Sequence, residues 1–381
     1  MIIGWILFFG GAGILLYTYL LYPGIILLLG SRREKPHTPR WSEFPKVTVL
    51  FSVHNEENII AEKLKNTLAQ DDPAEKLDVL VVDDLSSDGT LEAIQSLSSD
   101  RIKCIQQNPR KGKTAALNLA VSNARGDLLV FTDATTFFQI DAIRNLVETF
   151  DAEGKIGVVC GEMRYQTHPE ALSDEESHYW NFERHLRRAE SRLGTLLGAH
   201  GPMYALPKEL FTPLPEDMIS DFMTPLLLNL KGYRTVNQPR AVASQCGSRK
   251  AASVYHRKRR IIQRSLYAIW QHLELLNPFV AGRLAFQLLS HKVLRWFTAL
   301  WCIMTAIGTV LLQAQPVFQA ALWCELAVFS AGVIGILIQK TGRKASFFRF
   351  PAYAVMILGA SLMGTLGFLT GQKVITWEPQ R

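Results

Sequence analysis

Polar and acidic side chains stand directly behind three short apolar runs of the sequence. The runs are rich in Val and Leu and occupy positions 47–51, 78–82 and 127–131. Behind them come Ser52-Val-His54-Asn-Glu56-Glu57, Asp83-Asp84 and Thr132-Asp133. Any one of these acids is also explained as a helix cap or a turn former. Their recurrence at the same point of successive runs favours a shared site, in which carboxylates can hold a hard divalent cation.

Each apolar run is followed by a polar segment with helical periodicity, over residues 58–69, 90–98 and 141–151. This alternation predicts βαβ units and a mostly parallel central sheet, so the expected fold class is α/β. In such sheets ligands bind beyond the carboxyl ends of the strands, which is where the acids stand. The stretch of about 260 residues that contains them is long enough for one substantial domain.

Four strings of this region resemble, in their order along the chain, the motifs of the family 2 glycosyltransferases. These are membrane-associated enzymes of the GT-A fold that transfer sugars from nucleotide-sugar donors. The strings are Phe51-Ser-Val-His-Asn-Glu-Glu-Asn58, Val81-Val-Asp-Asp-Leu-Ser-Ser-Asp-Gly-Thr90, Asn108-Pro-Arg-Lys-Gly-Lys113 with Ala115-Ala-Leu-Asn118, and Phe131-Thr-Asp-Ala-Thr-Thr136. The second is close to the family's V-V-D-D-x-S-x-D-G-T and is the most specific of the four. In the first, His54 stands where an aromatic residue is common.

The resemblance implies a nucleotide pocket on these strings. Asp84 would accept hydrogen bonds from the base or the ribose, with Asp83 beside it, and Glu56 would help to shape the pocket. Lys113 follows Gly112 in a basic loop and would reach the phosphates or the base. The alternative for Lys113 is a solvated surface lysine.

The resemblance also implies a donor metal at Asp133. A nucleoside diphosphate leaving group gains negative charge as the anomeric bond breaks, and a divalent cation held by a carboxylate offsets that charge. Magnesium or manganese is expected, since both take oxygen ligands and use substrate phosphates to complete their shell. Many relatives carry a second acid two residues later, where this chain has Thr135.

Direct displacement at the sugar needs a base for the acceptor hydroxyl. The family places an aspartate before a helix, about a dozen residues ahead of a K/R-G-Y/W-R turn, and Asp221 fits because Lys231-Gly-Tyr-Arg234 follows at that distance. Asp217 is the fallback, although its use would misplace the turn by four residues. The segment 198–207 resembles the acceptor side, where His200 is a candidate for either a structural or a catalytic role.

A basic run stands where processive relatives carry Q-x-x-R-W. It resembles the R-K-x-R-I variant of other members and offers Arg259, Arg260 and Gln263 for the diphosphate, because guanidinium groups bind it in a bidentate manner. The whole segment 257–276 also reads as an amphipathic helix on anionic lipid headgroups, and both interpretations can hold together. A nucleic-acid partner is not expected, since the excess of positive charge, net +7, is gathered beside apolar segments.

The composition divides the chain into a soluble part and a membrane part. Its 381 residues are 48% hydrophobic and 20% charged, which excludes disordered, collagen-like and disulfide-scaffold proteins. Five cysteines show neither metal-site nor disulfide spacing, which favours a reducing compartment. We expect an uncleaved anchor over residues 1–31, a catalytic GT-A domain over 32–255, interfacial helices over 256–295, three spans over 296–372 and a tail over 373–381.

Basic residues predict the orientation of the four spans, because Lys and Arg near span ends stay in the cytoplasm. The clusters at 32–35, before the second span and at 340–344 then place both termini outside and the catalytic domain in the cytoplasm of a multi-pass plasma (bacterial inner) membrane protein. The alternative for the last two apolar segments is a helical hairpin buried in a soluble core.

Together these features predict a membrane-bound inverting glycosyltransferase. The resemblance implies a nucleotide-diphospho-sugar donor, most commonly a UDP-sugar in the family, and the membrane segments favour a lipid-linked or polysaccharide acceptor. One alternative is a processive polysaccharide synthase, for which four spans suffice only if subunits of a homo-oligomer or export partners pool them. An alternative of another class is a non-catalytic membrane scaffold that binds nucleotide sugars.

Overall fold

The computed structural model of the chain describes residues 1–31, 38–166, 173–199, 201–246, 251–341 and 346–372. The strands are β1 Val47–Val53, β2 Leu77–Asp83, β3 Ile102–Gln106, β4 Leu128–Thr132, β5 Thr136–Phe138, β6 Ile156–Gln166, β7 Met203–Pro207 and β8 Arg234–Cys246. The helices are α1 Ile2–Leu16, α2 Tyr22–Leu29, α3 Ile60–Leu68, α4 Thr90–Gln95, α5 Lys113–Asn123, α6 Ala142–Val147, α7 Ser173–Leu193, α8 Ser220–Leu230, α9 Ala251–Gln271, α10 Pro278–Ala281, α11 Arg283–Gln287, α12 Leu294–Trp296, α13 Thr298–Leu311, α14 Pro316–Lys340 and α15 Arg349–Leu369. Turns of π-helix at Tyr17–Leu21 and Leu288–Val293 join α1 to α2 and α11 to α12.

The strands form one sheet in the order β3-β2-β1-β4-β7-β6-β8-β5. The first four strands are mutually parallel, as the βαβ pattern predicts. Strand β7 is antiparallel to both of its neighbours, β6 and β8 are parallel, and β5 closes the sheet as an antiparallel edge. The α/β prediction is confirmed, with a parallel half followed by a mixed half.

Burial on both faces explains the apolar runs of the sequence. Every residue of β1 and β4 is buried, because helices cover both sides of a parallel sheet. The register places Val53 of β1 opposite Asp83 of β2, and Asp83 opposite Gln106 of β3. The carboxyl ends of these strands therefore lie at one edge, and the polar residues behind them meet there.

Among the described residues, three helical segments are long and apolar enough to cross a membrane: Ile2–Leu29, Pro316–Gln339 and Arg349–Leu369. A fourth is possible if the segments Arg283–Trp296 and Thr298–Leu312, which meet at 65°, form one broken span. Helix α1 packs antiparallel on α13: a side chain added at Gly4 would meet Leu312, and one at Gly11 would meet Thr305.

Helix α9 divides its apolar residues between the protein core and the surface. Leu266 and Ile269 pack in a buried cluster with Phe222 of α8 and Trp296 of α12, whereas Trp270 is 64% exposed. The predicted domain boundary at residue 255 falls inside this helix. Part of the apolar stripe of 257–276 thus packs in this buried cluster, and contact of the exposed part with lipid stays a prediction.

A buried cluster of charges joins the N-terminal helix α2 to helix α7. His291 lies between two carboxylates of α7, 2.7 Å from Glu190 and 3.0 Å from Glu183. Tyr22 of α2 donates to Glu190 at 2.7 Å, and Arg295 pairs with Glu183 at 2.9 Å. Burial alone would raise the pKa of Glu183, but these positive neighbours outweigh burial and hold the pKa well below its usual value.

Replacing His291 should therefore weaken the junction. We expect His291→Leu to destabilise the protein by about 3 kcal/mol, because two buried carboxylates lose a shared partner. Thermal unfolding of the purified protein in detergent measures the change. The matched control is His185→Leu on the exposed side of α7, which should leave the unfolding temperature nearly unchanged; equal effects of the two substitutions would contradict a structural role for the cluster.

Candidate active site

The loops after β1 and β2 are tied together by hydrogen bonds. The His54 ring donates from Nδ1 to the Asp84 carbonyl at 3.0 Å, and the Glu56 amide donates to the Thr90 hydroxyl at 2.8 Å. Asn55 accepts from the Ser87 amide at 2.8 Å and adopts a left-handed backbone with φ of 55°. The first two motif strings therefore form one continuous floor at the sheet edge, and Glu56 is buried within it.

Asp83 and Asp84 are both buried, and both carboxylates are engaged by protein donors. Asp83 accepts from the Ser86 amide and from Gln106 Nε2 at 3.1 Å. Asp84 accepts from Gln107 Nε2 at 2.6 Å and from the backbone amides of Lys111 and Gly112. Arg110 also lies near Asp84. In this structure Asp84 fixes the loop that leads into α5.

Lys113 is the first residue of α5 and its ammonium group forms an ion pair with Asp133. Gly112, just before it, has φ of 85°, a left-handed conformation that favours glycine. Burial alone would lower the pKa of Lys113, but the carboxylates of Asp133 and Asp221 outweigh burial and raise the pKa. Lys113 is thus not a solvated surface lysine; it lies between two acids that the sequence places 88 residues apart.

Asp221 lies in the first turn of α8 and belongs to the same charge cluster. Burial raises its pKa, the nearby Lys113 lowers it and Asp133 raises it, with a net increase. The segment predicted for the acceptor side contacts it: Ala199 donates its amide to the Asp221 carbonyl at 2.7 Å. A Cβ atom added to Gly201 would lie 2.3 Å from Asp221 Oδ2. His200 lies outside the described residues.

Two arginines of α9 complete the cluster. Burial and the neighbouring Arg257 lower the pKa of Arg260, while Asp133 acts in the opposite direction. Arg264 donates to the carbonyl oxygens of residues 216, 217 and 218, at 2.7 to 3.1 Å, and burial lowers its pKa to about 10. Arg260 faces the Asp133 side of the site, and Arg264 holds the segment that precedes Asp221.

The other candidates of the basic run and the fallback base are placed differently. Gln263 is buried and donates from Nε2 to the Gln372 carbonyl at 2.6 Å, so in this structure it serves a contact between helices. The backbone carbonyl of Arg259 lies beside Gly364 of α15, 3.0 Å from where a Cβ atom at that glycine would be. The Asp217 carbonyl accepts a hydrogen bond from Arg264 Nε at 3.1 Å.

Lys63 and Tyr204 are buried beside the site, and the sequence analysis did not single them out. Lys63 donates to the Thr136 carbonyl at 2.6 Å and to the Thr132 hydroxyl at 3.2 Å, so it ties together the two ends of the loop that carries Asp133. Burial lowers its pKa to about 7. Helical spacing from Ile60 to Thr67 puts Lys63 on the buried face, a signal that was available in the sequence.

The donor set around Asp133 is compatible with a divalent cation that is completed by substrate. No group of three His, Cys, Asp or Glu side chains converges within the part of the chain that the structure describes. The hydroxyl of Thr135, at the position of the second acid, accepts a hydrogen bond from Gln245 at 2.6 Å. Asp133 is partly exposed at the sheet edge, and magnesium-type sites are commonly built from one or two carboxylates together with phosphates.

Comparison with known proteins agrees with this geometry. Residues 48–213 match the family model described as glycosyl transferase family 2, so the chain carries a family 2 glycosyltransferase domain and the resemblance found in its motifs is confirmed. The probable glycosyltransferase YdaM of Bacillus subtilis is 33% identical over 162 residues, which are 39% of each protein. The poly-beta-1,6-N-acetyl-D-glucosamine synthase of Staphylococcus aureus is 27% identical over 208 residues, 52% of this chain and 50% of that protein.

The GT-A fold is confirmed by a solved structure. A mannosyltransferase from Pyrobaculum calidifontis, in complex with GDP-mannose and Mn²⁺, matches 97% of this chain and 99% of that chain with a TM-score of 0.71 and 23% identity. The likeness therefore extends beyond the catalytic domain to the helices around it. The matched regions span half or less of the length of the curated relatives.

The close approach of Gly201 to Asp221 generates a prediction for the site. Gly201→Ala should lower sugar transfer about 10- to 100-fold, because the added methyl group displaces the Asp221 carboxylate. A steady-state assay with the nucleotide-sugar donor measures the loss. The matched control is Gly13→Ala in α1, where a Cβ atom meets nothing within 4 Å; unchanged turnover of Gly201→Ala would contradict the placement of Asp221.

Proposed function

We propose that this protein is a membrane-bound inverting glycosyltransferase that moves a sugar from a nucleotide diphosphate to a lipid-linked or glycan acceptor. The observation that carries the proposal is the charge cluster that Asp133, Lys113 and Asp221 form at the sheet edge. The named relatives add support, since the Staphylococcus protein is a polysaccharide synthase and the Pyrobaculum protein is a mannosyltransferase. A UDP-sugar is the donor we expect.

Asp221 is proposed as the base. Its carboxylate takes the proton of the acceptor hydroxyl, whose oxygen attacks the anomeric carbon from the face opposite the diphosphate, so the configuration inverts in one step. A carboxyl group with a raised pKa is a better base near neutral pH than an ordinary aspartate. The acceptor would enter beside Ala199 and Gly201, which contact Asp221.

Asp133, Lys113 and Arg260 are proposed to bind the diphosphate. A magnesium or manganese ion held by Asp133 would supply electrostatic stabilisation of the leaving group when bound. Lys113 and Arg260 add positive charge on the same side, and Lys113 would exchange part of its contact with Asp133 for the phosphates. Asp84 acts through the loop that it fixes, and Glu56 shapes the nucleotide pocket.

The proposed location is a membrane with the catalytic domain on the cytoplasmic face. Basic residues at 32–35 and 340–344 support this orientation. An active site at this face meets nucleotide sugars in the cytosol and a lipid-linked acceptor in the adjacent leaflet. We expect export partners or a homo-oligomer only if the product is a polymer.

Replacing the base tests the mechanism. Asp221→Asn should lower kcat about 10²- to 10⁴-fold, because the amide cannot accept the proton, while binding of the nucleoside diphosphate is retained. Release of nucleoside diphosphate and calorimetric binding measure the two quantities in parallel. Asp217→Asn is the matched control and should stay close to wild type. If Asp217→Asn loses turnover and Asp221→Asn does not, Asp217 is the base. If neither variant changes the release of nucleoside diphosphate, the non-catalytic scaffold is favoured.

The pH dependence of turnover follows from the raised pKa of Asp221. The base must be ionised, so kcat should fall as the pH drops through that pKa, and this acid limb should lie above the value of an ordinary aspartate, about 4. A pH–rate profile between pH 4 and 8 measures it. An acid limb at or below the ordinary value would contradict the environment assigned to Asp221.

Similarity to a polysaccharide synthase favours a second candidate, a processive enzyme. The length of the product under excess donor separates the two functions. Transfer to a lipid carrier gives one added sugar, whereas a processive synthase gives a ladder that reaches high polymer. The altered Q-x-x-R-W region favours single addition, so we expect one sugar for each acceptor.

A further inference from the structure

Helix α15 has the composition of a membrane span, yet it packs along α9 of the catalytic domain. Cβ atoms added at Gly359 and Gly364 would lie 3.6 Å from the Tyr255 ring and 3.0 Å from the Arg259 carbonyl. One added at Gly367 would touch the Gln263 side chain. The paired residues differ by 104 or 105 positions throughout, so the two helices run in the same direction.

The end of α15 is fastened to α9. Gln263 donates to the Gln372 carbonyl at 2.6 Å, and this carbonyl is just past the last turn of α15. The Phe368 ring lies 6.0 Å from the Tyr267 ring and 6.3 Å from the Trp270 ring. Glycines at the interface let the backbones approach closely, as they do in membrane helix pairs. The contact therefore extends over the second half of α15 to its end.

The contacts of α15 with the α13–α14 hairpin show how strongly it is inclined. A Cβ atom added at Gly332 of α14 would touch the Pro351 carbonyl. At a rise of 1.5 Å per residue, Gly332 lies about 24 Å along α14 from the turn that joins α13 to α14. Ser361 contacts the Trp296 carbonyl and the Ala299 amide, about 20 Å from the same turn along α13. If α15 ran antiparallel to α14 toward this turn, the ten residues from Pro351 to Ser361 would bring Ser361 about 15 Å closer to the turn than Pro351. The observed difference is about 4 Å, so α15 runs across the hairpin and not back along it.

We propose that α15 does not cross the bilayer and instead braces α9 from the active-site side of the membrane. Its last turn then lies on the same side as the catalytic domain. The brace rests on the proposed function in one respect: α9 also carries Arg260, which interacts with Asp133 and which we place at the donor diphosphate. Holding α9 in place presents Arg260 to the donor, so Gln263 is a positioning residue.

This arrangement also accounts for the apolar surface of α15. Leu366 and Leu369 are 43% and 68% exposed, and both follow the contact with the base of the hairpin. A helix lying at the headgroup level can bury such side chains in the outer part of the leaflet while its other face packs on protein. The proposal therefore accounts for the hydropathy of α15 without a fourth span, and it places the C-terminus on the cytoplasmic side, where the sequence analysis predicts it outside.

Protease protection tests the side on which α15 ends. The full chain carries one epitope before Met1 and another after Arg381, in sealed inverted vesicles whose cytoplasmic face is outward. Added protease should remove the C-terminal epitope together with the catalytic domain and leave the N-terminal epitope protected. Protection of the C-terminal epitope while the domain is digested would overturn the proposal. This readout needs no activity, so it stands apart from any failure of the proposed function.

Kinetics of interface variants test the brace. Gln263→Leu and Gly364→Leu should raise the KM for the donor several-fold, because Arg260 shifts with α9. Their kcat should fall far less than that of Asp221→Asn, because both variants retain the base. Gly13→Leu, in open space on α1, is the control and should leave both constants unchanged. Gln263→Glu keeps the length of the side chain but loses the amide donor, so it should resemble Gln263→Leu. Unchanged donor KM in folded interface variants would overturn the positioning role.

Discussion

The ion pair between Lys113 and Asp133, with Asp221 beside it, is the constraint on which the site depends. Three separate elements supply these groups: the start of α5, the end of β4 and the first turn of α8. An ammonium beside two carboxylates offsets the repulsion between them in a partly buried place. A donor diphosphate brings its own negative charge to this point, so the same lysine and a divalent cation can stabilise it without rearrangement of the sheet.

The two halves of the sheet have separate tasks in this account. The parallel half gathers the loops after β1 and β2 and fixes, through Asp84, the loop that ends in Lys113. Beyond β4 the sheet becomes mixed, and here the segment before β7 contacts Asp221. The groups proposed for the donor and for the acceptor therefore lie close to β4, where the sheet changes from parallel to antiparallel pairing.

Local patterns predicted the parallel strands and the motif loops, because each depends on a short string of residues; the assignment of Asp221 as the base stays a prediction. The sequence predicts Asp84 in the nucleotide pocket but does not predict that its carboxylate accepts hydrogen bonds from the Lys111 and Gly112 amides, which depends on how that loop folds back. Lys63 follows the buried period of α3 and could have been predicted. The hydrogen bond from Gln263 to the Gln372 carbonyl could not be predicted, since the two residues are 109 positions apart and Gln372 follows a helix whose composition resembles a bilayer span. Hydropathy reports how apolar a helix is, and only packing shows which apolar partner it meets.

A structure of the protein with Mn²⁺ and a nucleoside diphosphate would test the central claim most directly, because anomalous scattering locates the ion independently of the protein coordinates. The account predicts an anomalous peak bound by Asp133 and the diphosphate, with the Asp221 carboxylate facing the same pocket across from Lys113. A peak away from Asp133, or an Asp221 side chain turned out of that pocket, would contradict it.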